Sequence, residues 1–277
     1  MGVKIYNKNT AGRRFSSVQD FSDITKKEPT KSLIMIKKQH GGRNAQGRIT
    51  VRHRGGGAAR YIRCLDWKQD RYDIPAKVTA IEYDPNRSAR IALIAYPDNE
   101  ERYVLCPVGM KVGDTVLSSK SRIEIKDGNR LPLSHIPVGI SVYNVELTPG
   151  KGGEIIRSAG VTAQLLAVEG VYAQLKMPSS EIRLVSKECA ASIGTVSNPD
   201  WRHVRIGKAG RMRHMGWRPE VRGKVMNPVD HPHGGGEGKN PIGLKHAKTR
   251  WGKIAMGVKT RQPGKWSNKF ILQRRKK

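Results

Sequence analysis

The sequence predicts a mostly β protein in which two small barrels carry long, basic and irregular extensions at both ends. Short β-rich segments recur between residues 61 and 195, and no amphipathic helical pattern separates them. Lys and Arg outnumber Asp and Glu by 17 to 6 in residues 1–74 and by 21 to 4 in residues 196–277, whereas residues 75–195 hold 14 against 13. The nearly neutral middle suits a folded core, and the cationic ends suit a polyanionic partner.

The N-terminal extension is predicted to cover residues 1–60. Residues 1–33 are polar and lack a clear period, and residues 38–57 contain six glycines among Lys, Arg and His. Because glycine lets a backbone approach closely and arginine binds phosphate with two parallel hydrogen bonds, this composition suits an arm threaded against RNA. A flexible linker is the alternative that the glycine content allows. Ile49 and Val51 indicate that part of the arm is a strand.

The first barrel is predicted at residues 61–128. Pro, Asp, Asn or Gly borders each of its β-rich segments. The segments are Val78–Tyr83, Arg90–Tyr96, Arg102–Cys106 and Thr115–Leu117. Such closely spaced strands are typical of a small antiparallel barrel.

The second barrel is predicted at residues 129–195. Its expected strands are Gly139–Leu147, Thr162–Val168, Val171–Lys176 and Glu181–Val185. Glu169-Gly170 lies between the second and third of these, which indicates a tight hairpin.

The C-terminal extension is predicted to cover residues 196–277, where regular structure fades. This segment contains twelve glycines and six prolines, and four of the five tryptophans of the chain lie in it. The indoles of Trp201, Trp217, Trp251 and Trp266 could stack on RNA bases or could anchor the extension to the barrels, and the sequence favours neither.

Several classes of protein do not fit the sequence. The apolar run Leu33–Ile36 is too short for a membrane span, and three widely spaced cysteines without a C-x-x-C motif favour a reducing compartment. We find no P-loop, nucleophile elbow or zinc-protease motif. A pI near 10.4 indicates a nucleic-acid partner. An RNA-processing enzyme and a DNA-packing protein remain as rival classes.

Residues 226–238 form the most specific string, Met-Asn-Pro-Val-Asp-His-Pro-His-Gly-Gly-Gly-Glu-Gly. Prolines on both sides of His231 fix the backbone, and three glycines allow close packing, so the loop could hold an imidazole in a defined place. A polar turn with two solvated histidines is one alternative. Metal binding by Asp230, His231 and His233 is a weaker one, because no further ligand is evident.

This string resembles the hallmark of the bacterial-type large-subunit ribosomal protein two family, the universal two-barrel family of the large ribosomal subunit. Further matches extend the resemblance over about residues 13–277. They include Gly41-Gly42-Arg43-Asn44, Gly47-Arg48-Ile49-Thr50, Gly55-Gly56-Gly57, Glu82–Ala89, Ile136–Gly139, Pro149–Gly153, Arg157–Gly160, Gly207–Gly210 and Val221-Arg222-Gly223. One departure is Ala58-Ala59, where the family commonly has histidine and lysine, so an RNA contact by that histidine cannot be transferred.

The resemblance implies an OB-fold barrel followed by an SH3-like barrel, with basic extensions. It also implies a structural, non-enzymatic protein of the large subunit that binds its ribosomal RNA and supports assembly, subunit association, tRNA binding and the peptidyl-transferase region. The implied partners are large-subunit ribosomal RNA, neighbouring ribosomal proteins and small-subunit RNA at an inter-subunit bridge, without membrane or DNA. No protein cofactor or metal site is expected, although structural Mg ions could lie on the RNA. The ribosome of the bacterial cytoplasm is the preferred location, with a plastid as the alternative.

The predicted RNA contacts combine basic side chains with these motifs. They are Arg43, Arg48, Arg52, His53, Arg54, Arg60, Arg87, Lys151, Arg157, Lys208, Arg211, Arg213, Arg218, Arg222, His231, His233 and Lys239. No residue is assigned to catalysis. We expect His231 to position RNA, and direct participation in peptide-bond formation is the alternative.

Overall fold

The computed structural model describes residues 2–275, and it confirms the mostly β fold class. Within these residues the chain forms one short α-helix, α1 (Ala209–His214), and the following strands. They are β1 (Val3–Ile5), β2 (Ser17–Gln19), β3 (Ile34–Ile36), β4 (Tyr61–Arg63), β5 (Ala76–Glu82), β6 (Ile91–Ala95), β7 (Glu101–Leu105), β8 (Thr115–Val116), β9 (Arg130–Pro132), β10 (Ser141–Tyr143), β11 (Ala163–Glu169), β12 (Tyr172–Lys176), β13 (Ile182–Ser186), β14 (Ala190–Ile193) and β15 (Ile271–Gln273).

The described residues form two compact units. The barrel unit comprises residues 2–38, 59–208 and 269–275, and the arm unit comprises residues 39–58 and 209–268. Each unit combines segments that are far apart in the chain, so the units do not test the boundaries predicted at residues 60, 128 and 195, which remain a prediction.

An antiparallel sheet in the order β7-β6-β5-β8 forms the OB-like part of the barrel unit. Val78 and Ala80 of β5 are buried in different hydrophobic clusters, because an irregularity in the register with β6 lies between them. One face packs with Ile94, Val104 and Val116 into a hydrophobic cluster. The sheet is therefore covered on both sides, as its apolar sequence requires.

The SH3-like part is a sheet in the order β15-β13-β12-β11-β10-β14-β9. Its core contains Leu131, Val142, Leu165 and Leu175, all fully buried. The predicted hairpin is present: β11 and β12 pair up to Glu169 opposite Tyr172. This sheet supplies a rigid base for the loops that follow its strands.

Three strands of this sheet were not predicted, and one is shorter than predicted. The sequence predicts a strand through residue 147, but β10 ends at Tyr143 because Asn144 has a φ of 50°. The segments of β9 and β14 contain Arg, Leu, Pro, Ala and Ser, with Ile193 as their one β-branched residue, and they extend because they pair with each other and β14 pairs with β10.

The N-terminal segment is held on the barrel unit by a buried arginine. Arg90 is 1% exposed, and its guanidinium donates hydrogen bonds to Asp23, to Gln19 and to the Asp20 carbonyl. The segment also forms its own hairpin of β1 with β2. Polar residues without a sequence period are thus ordered by one buried charge and its partners.

Candidate nucleic-acid interface

The structure divides the predicted RNA contacts between the two units. The barrel unit carries Arg60, Arg87, Lys151, Arg157 and Lys208. The arm unit carries Arg43, Arg48, Arg52, His53, Arg54, Arg211, Arg213, Arg218, Arg222, His231, His233 and Lys239. Each group has its own local geometry.

Trp67 brings two predicted contacts of the barrel unit together. The guanidinium carbon of Arg157 lies 4.4 Å from the centroid of the indole, and that of Arg87 lies 5.2 Å from it. Burial lowers the pKa of Arg157, and the neighbouring positive charge of Arg87 lowers it further. Two like charges beside one ring form a site that gains from a bound anion.

The turn at residues 84–87 orients these arginines. The fully buried carboxylate of Asp84 accepts hydrogen bonds from Arg87 Nε at 2.5 Å and from the Asn86 backbone N–H at 2.8 Å. Arg60 donates to the Pro85 carbonyl at 3.0 Å. The motif Asp84-Pro85-Asn86-Arg87 therefore fixes Arg87 through Nε, and the Arg87 side chain stays 22% exposed.

A buried ion pair holds the loop that carries Lys151. Glu146 and Arg130 lie 3.0 Å apart, and their side chains are 4% and 1% exposed. The same carboxylate accepts backbone N–H groups of Gly150, Gly152 and Ala190, each at 3.1 Å. Burial lowers the pKa of Arg130, against the opposing effect of Glu146. One carboxylate therefore accepts four hydrogen bonds, two from the loop and two from β9 and β14, and so ties the loop to the sheet.

In the arm unit, the triple glycine packs against its own chain. A Cβ on Gly57 would lie 2.9 Å from the Cα and N atoms of Gly216, so no side chain fits there. Gly55 N–H donates to the Gly216 carbonyl, and Ala58 N–H donates to the His214 carbonyl. These glycines therefore join the two segments of the arm unit.

Trp217 and His53 are part of the same junction. The guanidinium carbon of Arg54 lies 3.3 Å from the Trp217 ring centroid, and Arg213 donates to the Trp217 carbonyl. The His53 ring donates from Nδ1 to the Pro219 carbonyl at 2.9 Å. Trp217 thus anchors the C-terminal extension to the N-terminal extension, which is a third role beside the two that the sequence left open.

A cavity of about 810 Å³ lies beside this junction, and we name it the arginine cavity. Its charged lining consists of Arg43, Arg52, Arg54 and Arg218, and no carboxylate is among its lining residues. Such a concentration of guanidinium groups without a counter-charge is suited to phosphate.

The His231 loop is closed by hydrogen bonds to both imidazoles. His233 N–H donates to His231 Nδ1 at 3.0 Å, and Lys248 N–H donates to His233 Nε2 at 2.8 Å. In this arrangement each ring accepts one backbone N–H, so Nδ1 of His231 is an acceptor and Nε2 is the nitrogen left to donate. Gly223 makes room for this ring, since a Cβ there would lie 2.5 Å from His231.

A second cavity, of about 670 Å³, lies beside His231, and we name it the Trp251 cavity. Its lining mixes charges of both signs with apolar groups: Arg52, Arg222, Arg250, Glu220, Asp230, Val221, Met226, Thr249 and Trp251 are among the lining residues. This composition differs from that of the arginine cavity and suits a ligand with both hydrogen-bond donors and acceptors.

The structure also bears on metal sites and membrane-spanning helices. Among residues 2–275, no three His, Cys, Asp or Glu side chains form a group that could hold a metal ion. In the same part of the chain, no helix has the length and apolar character to cross a membrane.

Sequence reasoning missed several residues that shape the interface. Trp67 lies between Asp66 and Lys68, where a lone aromatic among charges was the available signal. Arg130 and Glu146 are 16 residues apart and carry no local signal of their pairing. Thr249 was likewise not singled out.

Two family models match the chain and together cover most of it. The model described as Ribosomal Proteins L2, RNA binding N-terminal domain, matches residues 30–118. The model described as Ribosomal Proteins L2, C-terminal domain, matches residues 126–252, which include the His231 loop and most of the arm unit. The chain therefore belongs to the ribosomal protein L2 family, whose members are RNA-binding structural constituents of the ribosome.

Proposed function

We propose that the protein binds large-subunit ribosomal RNA at both units, and that this binding supports subunit assembly, subunit association, tRNA binding and the peptidyl-transferase region. The observation that carries the proposal is the arginine cavity, which four arginines and no carboxylate residue line. The Trp67 cluster (Trp67, Arg87 and Arg157) supports a second RNA contact on the barrel unit.

Phosphate binding supplies the affinity in this proposal. Each Lys or Arg that meets a phosphate releases condensed counterions, so binding weakens as salt rises. Trp217 holds Arg54 of the arginine cavity, and Asp84 holds Arg87 of the Trp67 cluster, which lowers the entropy that RNA binding must offset at these two cations. The barrels then recognise the shape of the folded RNA rather than its sequence.

The His231 loop is proposed to position RNA rather than to take part in chemistry. A general base needs an unprotonated nitrogen that reaches the reacting amine. His231 Nδ1 is occupied by the His233 N–H, and Nε2 carries the proton in this arrangement. The ring can therefore donate one hydrogen bond to RNA, and it lacks the free acceptor that the alternative requires.

The proposed setting is the one that the resemblance to the family implies. Neighbouring ribosomal proteins and small-subunit RNA at an inter-subunit bridge are the proposed further partners, with Mg ions on the RNA and no cofactor on the protein. The bacterial cytoplasm is the proposed location, and a plastid ribosome is the alternative.

The salt dependence of RNA binding tests the barrel-unit contact. Arg157→Ala should lower the slope of log affinity against log salt by about 0.7–0.9, which corresponds to one lost phosphate contact. Arg71→Ala is the matched control, because Arg71 lies on the same unit and is paired with Asp98 and Glu100. Equal slopes for both variants would contradict the proposed contact, and tighter binding of duplex DNA at matched salt would contradict the choice of RNA.

His231→Gln separates positioning from chemistry. We expect reduced subunit assembly or RNA protection near the loop, with single-turnover peptide release on assembled particles close to wild type. Normal assembly with peptide release slowed by orders of magnitude would favour the catalytic alternative.

A further inference from the structure

The Trp251 cavity has the composition of a base-binding pocket. We propose that it binds one unpaired nucleobase of an RNA strand, with Trp251 as the stacking surface. This inference rests on the proposed RNA-binding function and names the part of the RNA that one site takes. All lining residues of the Trp251 cavity belong to the arm unit.

Trp251 is the first reason for the proposal. Its side chain is 74% exposed, although an indole gains more from burial than almost any other side chain. The guanidinium carbon of Arg250 lies 5.5 Å from the Trp251 ring centroid, whereas that of Arg54 covers one face of Trp217 at 3.3 Å. An exposed indole at the edge of a cavity offers a flat face on which a base of any identity can stack.

The polar lining is the second reason, because it matches a base edge rather than a phosphate. Glu220 and Asp230 place carboxylates in the lining, which repel phosphate and accept hydrogen bonds from base amino groups. His231 offers its Nε2–H as a donor, and the hydroxyl oxygen of Thr249 is shielded from solvent without a hydrogen-bond partner among residues 2–275. Donors and acceptors are thus both present.

The neighbouring arginine cavity supplies the complementary part of a nucleotide strand. Arg52 lines both cavities, so it lies between a site free of carboxylates and a site that contains two. A strand that crosses Arg52 can place a phosphate on one side and an unstacked base on the other. The contrast in charge between the two cavities therefore assigns the backbone to one and a base to the other.

Chemical footprinting of large-subunit ribosomal RNA bound to the full-length protein tests the proposal. Dimethyl sulfate reports bases that are accessible on their pairing edge, and hydroxyl radicals report the protected backbone. We expect Trp251→Ala to make one or two unpaired bases roughly tenfold more reactive, since loss of stacking on an aromatic side chain weakens base binding by about 5- to 150-fold. Trp251→Phe should keep the protection, and the hydroxyl-radical footprint should persist in both variants.

Two further variants keep the test decisive. Thr249→Val removes the hydroxyl without changing side-chain size, and it should raise the reactivity of the same bases. Trp266→Ala is the matched control, because Trp266 is 71% exposed and lines neither cavity. Base reactivity that is unchanged in Trp251→Ala, with the backbone footprint intact, would overturn the pocket while leaving RNA binding in place. Loss of both footprints in the wild-type protein would instead refute the proposed function itself.

Discussion

Replacing Glu146 with glutamine perturbs the buried ion pair that holds the Lys151 loop. The substitution keeps the size of the side chain and removes its charge. Arg130, 1% exposed, then loses the one carboxylate that faces its guanidinium at 3.0 Å. The amide group replaces one carboxylate oxygen, and if that oxygen is Oε2, its N–H groups face the backbone N–H groups of Gly150 and Ala190.

The expected cost follows from these contacts. Removing one partner of a buried ion pair costs about 3–5 kcal/mol, because the other charge stays buried without compensation. Each donor left without an acceptor adds about 1–3 kcal/mol before the loop relaxes toward water. We therefore expect the free energy of unfolding of the barrel unit to fall by at least about 3 kcal/mol, and its melting temperature by about 10 °C.

Urea and thermal unfolding, followed by circular dichroism, measure this cost. Glu154→Gln is the matched control, because Glu154 forms an exposed pair with Lys151 at 2.7 Å in the same loop. An exposed pair contributes about 0–1 kcal/mol, so this variant should unfold close to wild type. Equal free energies of unfolding and equal melting temperatures for Glu146→Gln and Glu154→Gln would show that the buried pair does not stabilise the loop.

The double variant Arg130→Met/Glu146→Leu extends the test. Apolar residues of similar size often replace a buried ion pair at no cost. Here we expect the double variant to recover only part of the free energy of unfolding that Glu146→Gln loses. Three backbone N–H groups would still lack their acceptor. Full recovery would show that the backbone hydrogen bonds to Glu146 contribute little.

Two further predictions concern packing and thiol chemistry. Gly57→Ala places a methyl group 2.9 Å from backbone atoms, so it should destabilise the arm unit by about 1–3 kcal/mol and speed limited proteolysis there. Gly210→Ala, which meets open space, should not. Burial raises the pKa of Cys106 and of Cys189 to about 12, so both thiols stay protonated at pH 8. Native protein should therefore titrate one thiol with Ellman's reagent, the half-buried Cys64, and denatured protein three; rapid reaction of all three in native protein would contradict this burial.

The strands that the sequence predicted are those whose side chains alone favour extension. The apolar runs that became β6 and β12 lie within one residue of their predicted ends, because β-branched and apolar residues suit a half-buried pleated surface. β14 was missed because Ala190-Ala191-Ser192 has no such preference and extends only through its neighbours β10 and β9. The C-terminal β15 depends likewise on the edge of β13, to which residues near the chain end return.

The candidate interface likewise combines features that the sequence predicts with features that only tertiary contacts decide. Charge distribution and the glycine- and proline-rich composition were sufficient to predict a nucleic-acid partner and a basic arm, since both depend on composition and local backbone preference. Which side chains converge depends on contacts between distant parts of the chain. Trp67 meets Arg157 across 90 residues, and the arm unit joins residues 39–58 to residues 209–268. The sequence by itself determined the class of partner and most strands. Tertiary packing decided which cations share a cavity, which tryptophans stay exposed and where a carboxylate excludes phosphate. These properties depend on distances between residues far apart in the chain, which no local pattern encodes.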